Sequence, residues 1–189
     1  MNYLDDIIVT GRNHEEYLCN LSLLLGRLER VGLKANITKC EFFQPKVYFL
    51  GHVLDASGIS PNTKYIEAVR DIPVPSNIKQ LQSFLGKVNY YGKFIPSYAT
   101  LAAPLNALRK KGVRFVWSDK VQRAFNDLKK ALQQATHLSH FDARRSIILD
   151  ADASEYGIGA VLSQRDSTGS EYPIAYASKT LNKFQSNYS

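Results

Sequence analysis

Two adjacent carboxylates, Asp5 and Asp6, stand between Tyr3-Leu4 and the apolar run Ile7-Ile8-Val9. Burying such a pair is costly unless a cation neutralises it. In a tight hairpin the two can reach one divalent metal, and Mg²⁺ takes carboxylate oxygens together with substrate phosphates. Two such ions can activate a 3′-hydroxyl and stabilise a leaving pyrophosphate. The plainer alternative is an exposed acidic turn. A second acidic pair, Asp150 and Asp152, closes the run Ile147-Ile148-Leu149. Strand alternation puts both on one face. With a further carboxylate beside it, a strand-end Asp can bridge metals for phosphodiester hydrolysis. Alone it is a solvated strand end.

Charge separates these acidic ends. The 189-residue chain carries a net charge of +7. Residues 61–145 hold 15 basic and 5 acidic side chains, whereas residues 1–60 and 146–189 are net −1 and −2. A basic block between mildly acidic flanks suits a polyanion held in the middle. A solvated, Lys-rich helical surface is the competing reading. Hydrophobic residues at 44% and charged residues at 22% exclude a disordered or collagen-like chain. Apolar runs of only a few residues exclude a membrane helix, and the start Met1-Asn2-Tyr3-Leu4 is no secretion signal. Cys19 and Cys40 are too few for a disulfide framework and are expected as buried, reduced thiols.

The elements that position these residues follow from periodicity and caps. Asn13 and Glu16 have the form of a capping box for a helix with Leu18, Leu21, Leu25, Leu28 and Val31 at helical spacing, ended by Gly32. Short strands are expected at Leu33–Ile37, Val47–Leu50 and His52–Leu54. Ser60-Pro61 should open a helix through Ile72. Ser76 should cap a second, with Ile78, Leu81, Leu85, Val88 and Tyr91 on one face. A third is expected near Pro104 to Lys110. A fourth, boxed by Asp119 and Gln122, would be buried through Val121, Phe125, Leu128 and Leu132. Ile147–Asp152, Gly157–Gln164 and Tyr172–Ser178 then read as a three-stranded antiparallel meander. Its apolar face needs a helix against it. Asn187-Tyr188-Ser189 would cap that helix, so the meander is expected to lack its cover.

Tyr3-Leu4-Asp5-Asp6-Ile7-Ile8-Val9 resembles the metal-binding hairpin of reverse transcriptases. Lys39-Cys40-Glu41-Phe42, Phe49-Leu50-Gly51-His52-Val53, Leu85-Gly86-Lys87-Val88-Asn89-Tyr90-Tyr91, Phe94-Ile95-Pro96 and Phe115-Val116-Trp117 resemble the polymerases of gypsy-type long-terminal-repeat retrotransposons. So do Asp152-Ala153-Ser154, Gly157 to Gln164 and Ile174 to Ser178. The series covers nearly the whole chain in order and spacing.

That resemblance implies an α+β fold: a truncated palm hairpin with primer-grip strands (residues 1–60), a helical thumb and connection (61–145), and part of an RNase H-like domain (146–189). It implies an RNA-directed DNA polymerase with RNase H, working by two-metal phosphoryl transfer. Asp5 and Asp6 would be catalytic palm ligands of Mg²⁺ or Mn²⁺, and Asp152 a catalytic nuclease ligand. Leu50, Gly51 and His52 would grip the primer end. Lys79, Lys87, Asn89 and Lys93 would contact nucleic acid, with Tyr90 as a further neutral contact. Tyr91 and Phe94 are expected in the core. Lys34 or Lys39 would lie near departing pyrophosphate. Gly92 replaces a common Arg and should weaken the helix locally by roughly 1 kcal/mol. Implied partners are an RNA–DNA hybrid or DNA duplex and deoxynucleoside triphosphates, inside the cell in cytoplasm or nucleus. The family's third palm carboxylate and its fingers are expected upstream of Met1, which leaves the fragment alone inactive. A catalytically dead nucleic-acid-binding remnant is the alternative function. Oligomeric state leaves no mark in the sequence.

Overall fold

A computed structural model describes residues 2–135, 137–182 and Gln185. It divides into two units, Met1–Pro45 and Lys46–Ser189. The expected helix cap at Asn187-Tyr188-Ser189 lies outside the described residues.

In the first unit, β1 (Asn2–Tyr3) and β2 (Asp6–Ile7) form a hairpin with Tyr3 opposite Asp6. Helix α1 (His14–Arg30) starts as expected. Asn13 Oδ1 accepts the Glu16 N–H at 2.8 Å, and the Glu16 carboxylate accepts the Arg12 N–H at 2.8 Å. At its end, Leu33 N–H reaches back to Leu28 O at 2.9 Å around Gly32, the six-to-one bond of a Schellman stop. No residue of α1 is buried. The strand expected at Leu33–Ile37 does not form. No described strand of this unit pairs with it, and Asn36 instead caps a single 3₁₀ turn, Ile37–Lys39, accepting the Thr38 N–H and hydroxyl. Nor are the thiols buried: Cys19 is exposed on α1, which has no buried residue, and Cys40 is half-buried with its Sγ donating to Asn36 O at 3.3 Å.

The second unit holds the core. Strands β3 (Lys46–Phe49), β4 (His52–Asp55), β5 (Gly58–Pro61) and β6 (Leu138–Ser139) form an antiparallel sheet in that order. Helices α2 (Thr63–Arg70), α3 (Ile78–Tyr90), α4 (Tyr98–Ala107) and α5 (Asp119–Gln133) lie between β5 and β6 in the chain. Leu81, Phe84, Leu85 and Val88 of α3 meet Ala102 and Leu105 of α4 and Val121, Phe125, Leu128 and Leu132 of α5. Phe84 and Phe125 meet with their rings tilted by 48° and their centroids 4.6 Å apart. Lys129 of α5 donates to the carbonyls of Arg70 and Ile72, closing the end of α2.

Several helix boundaries differ from expectation, each for a local reason. Pro61 ends β5 opposite His52, so Asn62 rather than Ser60 caps α2. Asn77 caps α3, while Ser76 bonds the Gln80 side chain. Helix α4 begins at Tyr98, where Ser97 turns the chain at φ +51°, and carries Pro104 inside it. Gln122 does not box α5, because its oxygen accepts the Trp117 indole N–H at 2.7 Å. Gly92 costs no helical stability, since α3 has already ended and a 3₁₀ turn, Gly92–Phe94, follows.

The meander β7 (Ile147–Ala153), β8 (Gly157–Arg165), β9 (Glu171–Thr180) forms as expected. The face that carries Gly157 and Gly159 has a helical cover, supplied by α4. Ala99 N–H donates to Ser178 Oγ at 2.7 Å, and Thr100 Oγ1 meets Ser154 Oγ at 3.2 Å. A Cβ at Gly157 would lie 3.3 Å from Ala99 Cβ, and one at Gly159 3.1 Å from Ser97 Oγ. A side chain at either position would push sheet and helix apart by a few tenths of an ångström. The other face leaves Ile147, Leu149 and Ile158 exposed.

Candidate nucleic-acid interface

Residues Phe49 and His52 pair across β3 and β4, leaving Leu50-Gly51 as a two-residue loop. Both loop residues have positive φ, +47° and +71°, the signature of a type I′ turn. Glycine meets that demand freely. A bulky Leu pays about 1–2 kcal/mol for it. A Cβ at Gly51 would also lie 2.9 Å from the Tyr91 hydroxyl.

Protein donors hold this turn. Leu50 O accepts from the Tyr90 hydroxyl and from His52 Nδ1, the latter at 2.6 Å. Gly51 O accepts from the Tyr91 hydroxyl at 3.0 Å and from the Asn62 N–H at 3.1 Å. Each carbonyl thus takes two donors, the capacity of its two lone pairs. The bond to Leu50 O puts the imidazole proton on Nδ1. Nε2 is left as a buried acceptor without a partner among the described residues. The His52 ring is 8% exposed and lies among Tyr90, Tyr91 and Phe94 at 5.3–5.7 Å. Burial, then the nearby Lys93 charge, push its pKa down. Burial, with Tyr90 and Tyr65 beside it, pushes the Tyr91 phenol up to about 12, so it remains a donor at every physiological pH.

Helix α3 runs away from this turn. Leu81, Phe84, Leu85 and Val88 point inward. Lys79, Ser83, Gly86, Lys87, Asn89 and Tyr90 are exposed on the opposite side. Lys93 follows in the 3₁₀ turn, its ammonium 5.2 Å from the Phe94 ring centre, and burial lowers its pKa. Tyr91 and Phe94 are buried, as expected. The structure therefore brings Leu50, Gly51, His52 and Lys93 together and sets Lys79, Lys87 and Asn89 along the adjoining helix. Sequence reasoning missed two things here. Tyr91 is a core residue that also bonds the turn, and the hydroxyl of a paired Tyr-Tyr in an apolar helix face was the available signal. Gly86 sits mid-helix with open space where a Cβ would be. It costs about 1 kcal/mol against Ala with no packing reason among the described residues.

The carboxylates stand differently. Asp5 is in the β1–β2 loop and Asp6 in β2, both exposed. Asp152 lies on β7 opposite Gly159, also exposed, with Oδ1 accepting the Ala153 N–H at 2.9 Å. Asp150 shares its face. The donor chemistry of Asp5 and Asp6, oxygen-only and adjacent, fits a hard divalent cation. Among the described residues no three His, Cys, Asp or Glu side chains converge to hold one. No described helix is long and apolar enough to cross a membrane.

Residues 1–54 match the family model for reverse transcriptase (RNA-dependent DNA polymerase), and residues 117–189 that for the RNase H-like domain found in reverse transcriptase. The chain is 38% identical over 187 residues to the Transposon Tf2-3 and Tf2-7 polyproteins of Schizosaccharomyces pombe. The match covers 99% of this chain and 14% of each polyprotein. Among solved structures it resembles the foamy viral protease-reverse transcriptase in complex with dsDNA, with TM-score 0.77 and 23% identity, over 95% of this chain and 38% of that one. The same viral protein in complex with RNA/DNA hybrid matches with TM-score 0.76 and 23% identity, over 95% of this chain and 24% of that one. By sequence, residues 1–54 thus resemble the reverse transcriptase family and residues 117–189 its RNase H-like domain, and the chain is similar to about one seventh of a retrotransposon polyprotein.

Proposed function

We propose that this chain serves an RNA-directed DNA polymerase with RNase H by gripping the primer–template. The observation that carries this reading is the Leu50-Gly51 turn, whose carbonyls are both filled by protein donors, beside the exposed Lys79–Lys93 face. With its acceptors filled, the tip can approach a sugar-phosphate closely. Lys79, Lys87 and Lys93 supply cations to phosphates and Asn89 a neutral contact. The similar structures of foamy viral protease-reverse transcriptase in complex with dsDNA and with RNA/DNA hybrid support either duplex as ligand. Residues 1–60 act as palm, 61–145 as thumb and connection, and 146–189 as the start of the nuclease. Asp5 and Asp6 would hold Mg²⁺ or Mn²⁺ where deoxynucleoside triphosphate is consumed, and Asp152 would hold it in the nuclease. The ion supplies charge neutralisation at phosphate oxygens. The transposon relatives support an intracellular setting.

The test is fluorescence anisotropy with labelled duplexes across a salt series. Four to six phosphate contacts give a slope of log K against log salt of roughly −4 to −5, alike for all sequences. Salt-independent affinity, or tight binding to one sequence only, would overturn the reading. A second reading, binding without catalysis, is favoured by the lack of three converging ligands among the described residues. Mg²⁺-dependent primer extension that disappears in Asp5→Asn and Asp6→Asn would remove it.

A further inference from the structure

We propose that Tyr90, Tyr91 and His52 are positioning residues that hold the Leu50-Gly51 turn in its left-handed conformation and tie it to α3. The inference rests on the reading of this turn as a duplex contact, and it names the groups that set the contact's shape. A leucine at φ +47° is unfavourable by itself, so something must over-determine it. Four donors do so, all from outside the loop: the hydroxyls of Tyr90 and Tyr91, His52 Nδ1 and the Asn62 N–H. Two of the four come from the last residue of α3 and its C-cap, 40 positions along the chain. Hydrophobic burial does not explain them. A phenylalanine would fill the Tyr91 site as well, and an apolar residue in place of His52 would remove the unpartnered Nε2. A buried, unpartnered imidazole nitrogen is tolerated because the other nitrogen bonds the turn. Displacing α3 therefore displaces the turn, and the duplex contact is made by helix and hairpin as one rigid piece.

The experiment uses the full chain, isotope-labelled, with Tyr91→Phe, Tyr90→Phe, His52→Phe and His52→Asn. In the wild type a strong intraresidue HN–Hα cross-peak at Leu50 marks its positive φ. Tyr91→Phe and His52→Phe should weaken it and lower affinity for a DNA duplex roughly 3- to 10-fold, with the α5 resonances of Leu128 and Leu132 unmoved. Asn carries an N–H near the Nδ1 position, so His52→Asn should restore both. Should Tyr91→Phe fail to fold, Tyr90→Phe and the His52 pair carry the test. An unchanged Leu50 cross-peak in the folded variants overturns the proposal. If the cross-peak weakens but the wild type binds no duplex, the positioning stands and the nucleic-acid reading falls.

Discussion

Two hairpins in this chain turn through a leucine in the left-handed region, Leu4 at φ +49° and Leu50 at φ +47°. They are supported in opposite ways. Leu4 is 83% exposed and its hairpin belongs to a unit whose helix buries nothing. Leu50 belongs to the unit with the core, and four donors hold its turn. The first tip presents Asp5 and Asp6, whose shape a cation would complete. The second is shaped before any ligand arrives. Preorganisation lowers the ordering cost of binding, so on the proposed reading the nucleic-acid contact would be built in advance and the metal contact would be completed by its ion.

The comparison can be broken at the level of support. Phe125→Ala should destabilise the second unit by about 3–5 kcal/mol and carry the Leu50 turn with it, whereas Leu23→Ala on α1 should cost no more than about 0.5 kcal/mol. Urea titration of both variants checks this; similar losses would mean the units are equally consolidated. Replacing Lys79, Lys87 and Lys93 together by Ala should make the salt slope shallower by roughly 2 to 3. No change would detach α3 from the interface.

Smaller effects sharpen the comparison. Gly86→Ala should stabilise α3 by about 1 kcal/mol in a thermal melt and weaken duplex binding, because a methyl group would stand where the backbone approaches. Tighter binding would refute that approach. His52 has its folded pKa depressed by burial and by Lys93. The unfolded chain therefore takes the proton first. Its contribution is intact at neutral pH and is lost as pH falls through about 6.5 toward the lower folded value. Denaturation between pH 7 and 5 should show this loss, and His52→Asn should flatten it. The depressed carboxyls of Asp142 and Asp166, held by Arg144 and by Thr168 with Tyr172, act only at more acid pH. Last, Leu4→Gly and Leu50→Gly each relieve about 1 kcal/mol of backbone strain. The first should simply stabilise its hairpin; the second should be near neutral, since the freed turn loses definition.

The helical part was legible because Leu81, Leu85 and Val88, or Val121, Phe125 and Leu128, repeat at the period of one buried face. The meander was legible from its alternation and turn residues. Boundaries were less so, since Ser60, Pro61 and Asn62, like Ser76 and Asn77, are adjacent candidates for one cap, and strand pairing of Pro61 decided between them. For the site, the residue types at Leu50-Gly51-His52 and along α3 could be picked out by resemblance. What holds the turn could not, because bonds from Tyr90 and Tyr91 span 40 residues and depend on how α3 docks. Cover of the meander by α4 was hidden for the same reason.

That docking has a mechanical consequence. Gly159 brings β8 so close to Ser97 that a methyl there would act as a wedge, and a methyl at Gly157 would press on both Ala99 and the Lys179 carbonyl. The junction between the α4 layer and the meander is a weld and has no play for a hinge. Torque on the sheet reaches the helices through Ser178 with Ala99 and through Ser154 with Thr100, so strands 147–180 and helix 98–107 should tumble with one correlation time.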